Sequence, residues 1–182
     1  MAEAIINRNV ALTEFDRALA DYEHAYDPVP DEALKFVPSG EDYTLGGLAV
    51  HVADVIYHYD RVFDLIHGSG FQQVRAIDPE DDAKRNRDRL IHDGFSGERT
   101  GVFREVKEAH DALVSRLRAL SADDFARAAP VLYGPDAQEP YDTRPADIVG
   151  WLRDHYVEHT DQVGQLLGRW RSERNETTSS PR

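Results

Sequence analysis

The sequence predicts an all-α protein, a four-helix bundle with long crossover connections. Four stretches place apolar residues every three or four positions, which is the spacing of an amphipathic helix with one buried face. The connections between them are long and carry proline, glycine and runs of charge. A chain of 182 residues is long enough to close one such core without disulfides.

The first two helices have clear ends. The first is predicted at residues 7–27, where two closely spaced prolines end it. Residues 29–43 then form a loop that covers one end of the core. Thr44 is a suitable N-cap for the second helix, which runs to about His67 and ends at a Gly-Ser-Gly run.

The second half of the chain repeats this arrangement with longer connections. Residues 71–97 form a crossover with a short polar helix at residues 83–92. The third helix then continues to Leu120, and the fourth begins near Thr143. The proline-rich loop between them has room for a small hairpin around residues 131–133.

The apolar pattern ends before the chain does. We therefore predict one bundle domain over residues 1–171. Residues 172–182 are polar and have nothing to bury, so they are predicted to form a disordered tail.

The composition narrows the cellular setting and the classes of partner. The formal net charge of −13 opposes binding to nucleic acid or to an anionic membrane surface. The N-terminal residues do not resemble a signal peptide, and no run approaches the roughly 20 apolar residues of a membrane span. Cysteine is absent, which excludes thiolate metal sites and fits a reducing compartment. We therefore expect a cytoplasmic protein.

The strongest chemical signal is a pair of histidines in the fourth helix. His155 and His159 fall on its buried stripe, where apolar residues are expected. Residues four apart on a helix are separated by one turn, roughly 6 Å along the axis, so both rings can reach a single ion. The same spacing also occurs in cores where each imidazole simply donates to a carbonyl or a carboxylate.

The second helix offers a third ligand. His51 and His58 both lie on its predicted buried stripe. They are about 10 Å apart along the axis, so only one of them can join an ion held by one turn of another helix. His51, His155 and His159 together would leave an open coordination position, which is typical of catalytic sites. His58 is then a pocket residue and a weaker candidate catalytic group.

Other polar residues near the fourth-helix pair are weaker candidates. Glu158 is a candidate catalytic base, and it shares with Asp161 a candidate role in orienting a ligating histidine. Both residues are equally typical of the wet face of a helix. Tyr57, Tyr59 and Tyr156 are candidates for lining a pocket, although tyrosine in a bundle usually packs with a polar tip.

The remaining histidines receive no role in the site. His110 lies on the stripe of the third helix and is predicted to be buried. His24, His67 and His92 lie on polar faces or at helix ends and are predicted to be exposed. The sequence also lacks a nucleophile elbow, a phosphate-binding loop and a dinucleotide fingerprint, so the histidines are the chemical signal that remains.

Two stretches resemble one family. Residues 43–54, Tyr-Thr-Leu-Gly-Gly-Leu-Ala-Val-His-Val-Ala-Asp, resemble an aromatic-Ser/Thr helix start that leads to a histidine. Residues 155–163, His-Tyr-Val-Glu-His-Thr-Asp-Gln-Val, resemble a fourth helix with paired histidines. Both are similar to the DinB/YfiT-like superfamily, which includes the N-terminal domain of mycothiol-dependent maleylpyruvate isomerase and the bacillithiol transferases. The resemblance covers about residues 7–170.

The resemblance implies a four-helix bundle in which His51, His155 and His159 hold zinc, nickel or a similar divalent ion. Family members use the ion to activate a low-molecular-weight thiol, such as mycothiol or bacillithiol, or in some cases to activate water. We therefore expect a thiol transferase or isomerase acting on a small electrophile. The alternatives are a metal-dependent hydrolase and a non-catalytic, stress-related metal-binding bundle. Relatives often pair through helix faces, so a homodimer is also expected.

Overall fold

The computed structural model describes residues 7–37, 44–79 and 99–178, with side chains as far as Arg174. Five α-helices lie in the described ranges: α1 (Arg8–Ala25), α2 (Leu45–Gly68), α3 (Arg99–Arg118), the short α4 (Ala122–Ala126) and α5 (Pro145–Thr178). The four long helices form the predicted bundle. Helix α1 packs on α5, and α2 packs on both α3 and α5.

Side-chain caps start three of the helices, as their sequences favour. The Asn7 side chain accepts hydrogen bonds from two backbone N–H groups in the first turn of α1. The predicted cap Thr44 accepts from the Gly47 N–H at 2.7 Å, which fixes where α2 begins. Ser121 caps α4 in the same way, through the Asp124 N–H at 3.0 Å.

The buried stripes of the helices largely match the predicted ones. The predicted stripe of the third helix is entirely buried: Val102, Val106, His110, Leu113, Leu117 and Leu120. The predicted stripe of α5 is buried or half-buried: Ile148, Leu152, His155, His159, Val163, Leu166 and Trp170. Helix α2 differs at its C-terminal end, where the apolar spacing predicts a buried Leu65, because Leu65 is 42% exposed and its neighbour Ile66 is fully buried. The physical reason is that α2 contacts α3, α5 and a strand, so its buried face is wider than one stripe.

A small three-stranded sheet packs beside α2. Strands β1 (Val74–Ala76) and β2 (Ala129–Tyr133) pair in parallel, and β2 pairs antiparallel with β3 (Tyr141–Thr143). The predicted hairpin therefore exists, but it extends beyond residues 131–133. The sequence does not predict strand β1, since three residues are too few to show an alternating pattern. Thr143 ends β3, so the last helix begins at Pro145.

Helix α5 is longer than the sequence predicts. Residues 172–178, which the sequence predicts as the first part of a disordered tail, continue the helix to Thr178. Arg174 supports this extension, because its guanidinium pairs with Glu32 at 3.2 Å and lies over the Trp170 ring. Residues 179–182 and the predicted polar helix at 83–92 lie outside the described residues. Among the described helices, none combines the length and the apolar character needed to cross a membrane.

Candidate metal centre

Helix α5 supplies two of the three predicted ligands. His155 and His159 project from consecutive turns, and their Nε2 atoms lie 3.1 Å apart. Two nitrogens bound at about 2.0–2.1 Å to one tetrahedral ion would be separated by roughly 3.3 Å. The two nitrogens are therefore already close to the spacing of two ligands on one ion.

Helix α2 brings the third histidine to the same point. The His51 ring centroid lies 5.1 Å from that of His155 and 5.2 Å from that of His159. One ring nitrogen from each of the three residues lies within 4.8 Å of the others. Within the described part of the chain, this is the group of residues that can hold a metal ion.

A hydrogen bond fixes which nitrogen of His159 faces the cluster. Its Nδ1 lies 2.7 Å from Oε1 of Gln162, one turn further along α5. The amide oxygen can only accept, so Nδ1 carries the proton and Nε2 presents a lone pair. The sequence favours Glu158 or Asp161 for this orienting role, but both of these side chains are exposed. The spacing of three residues on a helix was the available signal for Gln162.

The three imidazoles are neutral near neutral pH. Burial lowers the pKa of His51 to about 4, with a further contribution from nearby His159. Burial and the two neighbouring rings lower the pKa of His155 to about 2. Burial also lowers the pKa of His159, although the Gln162 hydrogen bond and the Glu158 charge partly oppose it. Neutral imidazole is the form that binds a metal ion, so no proton has to be removed first.

His58, the second histidine of α2, does not join the cluster. It is 4% exposed and meets the Tyr59 ring edge-on at 5.0 Å. It also lines a cavity of about 410 Å³ that reaches Ala76 and Ile77 beside the sheet. The position agrees with its interpretation as a pocket residue, two helical turns from His51.

The other histidines lie where the sequence places them. His110 is 1% exposed, between α1 and α5. His24 and His67 are exposed. His92 lies outside the described residues.

The three candidate tyrosines separate into different environments. Tyr156 is 1% exposed and packs against Phe15, so it does not line an open pocket. Tyr59 is half-buried and contacts Trp151, which lies one turn before His155 on α5. Tyr57 is also half-buried.

Comparisons with known proteins agree with this architecture. YfiT from Bacillus subtilis, described as a probable metal-dependent hydrolase with an unusual four-helix bundle topology, superposes with a TM-score of 0.66. The two chains are 19% identical, and the match covers 92% of this chain and 93% of YfiT. A Streptococcus pneumoniae protein gives a TM-score of 0.56 at 11% identity, covering 88% of this chain and 94% of its own. At these identities the two structures establish a shared fold.

The sequence itself carries the family assignment. No match is found among the curated proteins. The family model of the DinB superfamily, however, matches residues 14–163, a range that contains all three clustered histidines and most of the bundle. The chain belongs to the DinB superfamily.

Proposed function

We propose that His51, His155 and His159 hold one divalent cation, with zinc or nickel as the first choices, and that the protein is a metal-dependent enzyme. The observation that carries this proposal is the convergence of three neutral ring nitrogens within 4.8 Å. Three protonated rings at this spacing would repel one another, whereas three neutral rings can each turn a lone pair toward one shared cation.

The donor set suits catalysis better than a purely structural role. Three imidazoles leave at least one coordination position for solvent or substrate, whereas structural zinc sites are usually closed by four protein ligands. A bound ion there would supply a Lewis acid that lowers the pKa of a coordinated water or thiol. The ion's identity is a matter for measurement, because imidazole suits several transition metals.

The first candidate reaction is transfer of a low-molecular-weight thiol, such as mycothiol or bacillithiol, to a small electrophile, or a thiol-dependent isomerisation. It is supported by the resemblance of residues 43–54 and 155–163 to a family that includes thiol-using members. The chain contains no cysteine, so the thiol would be a separate molecule. The second candidate is hydrolysis, which is favoured by the shared fold with YfiT, itself described as a probable metal-dependent hydrolase.

Two further side chains outside the histidine cluster have proposed roles in the reaction. Glu158 is exposed, and its charge reaches His159 on the neighbouring position of α5, so we assign it as a candidate base. His58 lines the 410 Å³ cavity, so we assign it a contact with the substrate. A small-molecule substrate, a cytoplasmic location and a homodimer complete the proposal.

The decisive experiment uses protein purified without a histidine tag. The metal-free protein is reconstituted with zinc or nickel, and the bound metal is counted by elemental analysis. The loaded protein is then given an activated aryl halide with and without mycothiol or bacillithiol, and separately an activated ester. Thiol-dependent loss of the halide would support the first candidate, and thiol-independent ester cleavage the second. One equivalent of metal without either activity would leave a non-catalytic metal-binding bundle. Failure to bind either metal would contradict the whole proposal.

Gln162 gives a test of the geometry of the site. We expect Gln162→Leu to weaken metal binding roughly 10–100-fold, because His159 loses the acceptor that fixes its tautomer and ring orientation. The affinity is measured by competition with a chromogenic chelator. Gln165→Leu is the matched control, since Gln165 is an exposed glutamine one turn further along the same helix. Equal affinities of the two variants would show that the Gln162 contact does not orient a ligand.

A further inference from the structure

Away from the histidine cluster, a second polar network crosses the interior of the bundle. His110 of α3 lies at its centre and is 1% exposed. Its Nε2 lies 3.1 Å from Oδ1 of Asp16 on α1, and its Nδ1 lies 3.3 Å from the hydroxyl of Tyr156 on α5. Arg118 donates to the other oxygen of Asp16 at 2.7 Å, which holds the carboxylate in place. One hydrogen-bonded chain therefore joins three helices.

The donors and acceptors in this chain have a definite direction. Burial lowers the pKa of His110, so its ring is neutral and carries a single N–H. The Asp16 carboxylate can only accept, which places that hydrogen on Nε2. The Nδ1 lone pair is then left to accept from the Tyr156 hydroxyl. Each ring nitrogen therefore has a hydrogen-bond partner. Asp16 holds the His110 ring, and the His110 ring in turn fixes the position of the Tyr156 hydroxyl.

Tyr156 lies between the two candidate ligands along α5, directly after His155 and three residues before His159. At 100° per residue it is about 100° around the helix from His155 and about 60° from His159. Its ring is packed against Phe15 and Tyr22 of α1, at centroid distances of 5.6 Å and 5.5 Å. Any rotation of α5 that moved the histidine rings would also have to move Tyr156 out of this contact.

Small rotations matter at a metal site. A side-chain atom roughly 6 Å from the axis of a helix moves about 1 Å when the helix turns by 10°. Productive ligand geometry tolerates only about 0.5 Å. The exposed pair of Glu14 and Arg153 also connects α1 to α5, at 3.1 Å, but solvent screens it and its long side chains adjust easily. The buried contact is the more rigid one.

We propose that the hydrogen-bonded chain of Asp16, His110 and Tyr156 fixes the rotation of α5 about its own axis, so that the ring nitrogens of His155 and His159 lie at ligand spacing from that of His51. The three residues are positioning residues, because none of them lies in the histidine cluster. The inference rests on the metal site proposed above. It adds that metal affinity depends on the Tyr156 hydroxyl, which lies outside the cluster and does not contact the ion.

The test is cobalt(II) binding by the full-length chain, followed by the absorption bands of the bound ion. We expect Tyr156→Phe, which keeps the ring and removes the hydroxyl, to weaken cobalt binding roughly 10-fold and to change the band positions. The control is Tyr22→Phe. Tyr22 is also fully buried, and within the described residues its hydroxyl bonds to that of Tyr26, just after α1, at 3.3 Å. It should lose comparable stability but keep the parent's affinity and spectrum.

A second pair of variants repeats the test at the surface end of the chain. Asp16→Ala removes the acceptor for His110 and should act like Tyr156→Phe, whereas Asp16→Asn keeps a carbonyl oxygen at that position and should restore most of the affinity. Parent-like cobalt binding by Tyr156→Phe, or an equal loss in Tyr22→Phe, would overturn the inference and leave the metal site intact. Absence of cobalt binding by the parent itself would overturn the proposed function and this inference with it.

Discussion

Replacing His155 by alanine is expected to abolish stoichiometric metal binding. The variant would keep two separated imidazoles on different helices, and loss of an outer hydrogen-bond partner alone already costs roughly 10–100-fold in affinity. We therefore expect the loss of a direct ligand to exceed about 100-fold. The measurement is metal content by elemental analysis, with chelator competition for the residual affinity. His51→Ala should behave in the same way, since it removes the only contribution of α2 to the cluster.

The matched control is His67→Ala. His67 is an exposed histidine near the end of the same helix as His51, and its ring contacts Phe63 rather than the cluster. It should retain about one equivalent of metal. Comparable metal content in the His155, His51 and His67 variants would show that the ion, if present, is held elsewhere.

Metal-free protein is expected to lose stability steeply in mild acid. The folded state holds the pKa of His51 at about 4 and that of His155 at about 2, whereas an unfolded histidine titrates near 6.5. Above pH 6.5 both states are neutral and these groups do not favour unfolding. Below pH 6.5 the unfolded chain binds protons at these histidines and the folded chain does not. The free energy of unfolding therefore falls by about 1.4 kcal/mol per pH unit for each such histidine. For His51 this loss stops growing near pH 4.

Urea unfolding with a chelator present, at pH 7.5, 6 and 5, measures this effect. His155→Gln provides the comparison, because it removes one titrating ring and keeps a polar side chain. Between pH 6 and pH 5 its stability should fall less steeply than that of the parent, by about 1.4 kcal/mol per pH unit. Identical slopes would mean that the His155 ring is not held neutral by burial. In metal-loaded protein, acid should also release the ion, since protons compete for the same nitrogens.

Most of the bundle could be predicted because its signals are periodic and local. The apolar spacing identified the four long helices, and Thr44 marked the start of α2 to the residue. The spacing of His155 and His159 also predicted, without any knowledge of the fold, that two of the three ring nitrogens lie close together. A single helix period fixes the direction in which both side chains point.

The parts that could not be predicted depend on contacts between distant segments. Nothing in the sequence near Val74 indicates that it pairs with Val131. The choice between His51 and His58 rested on helix geometry and on the family resemblance, because their relation to α5 is a tertiary property. Gln162 was missed since a glutamine on a helix is ordinarily solvated, and its role appears only when a buried imidazole lies beside it.

The parallel pairing of β1 with β2 also bears on the order of folding. The strands join segments that flank α3, and the cluster joins His51 to a helix about a hundred residues later in the chain. Contacts between residues this far apart in the sequence form late in folding, because a large loop must close before the contacts can stabilise the chain. During synthesis α5 must leave the ribosome before His155 and His159 can approach His51. A nascent chain that stops before α5 would therefore lack two of the three candidate ligands, and the apolar faces of its other helices would be exposed.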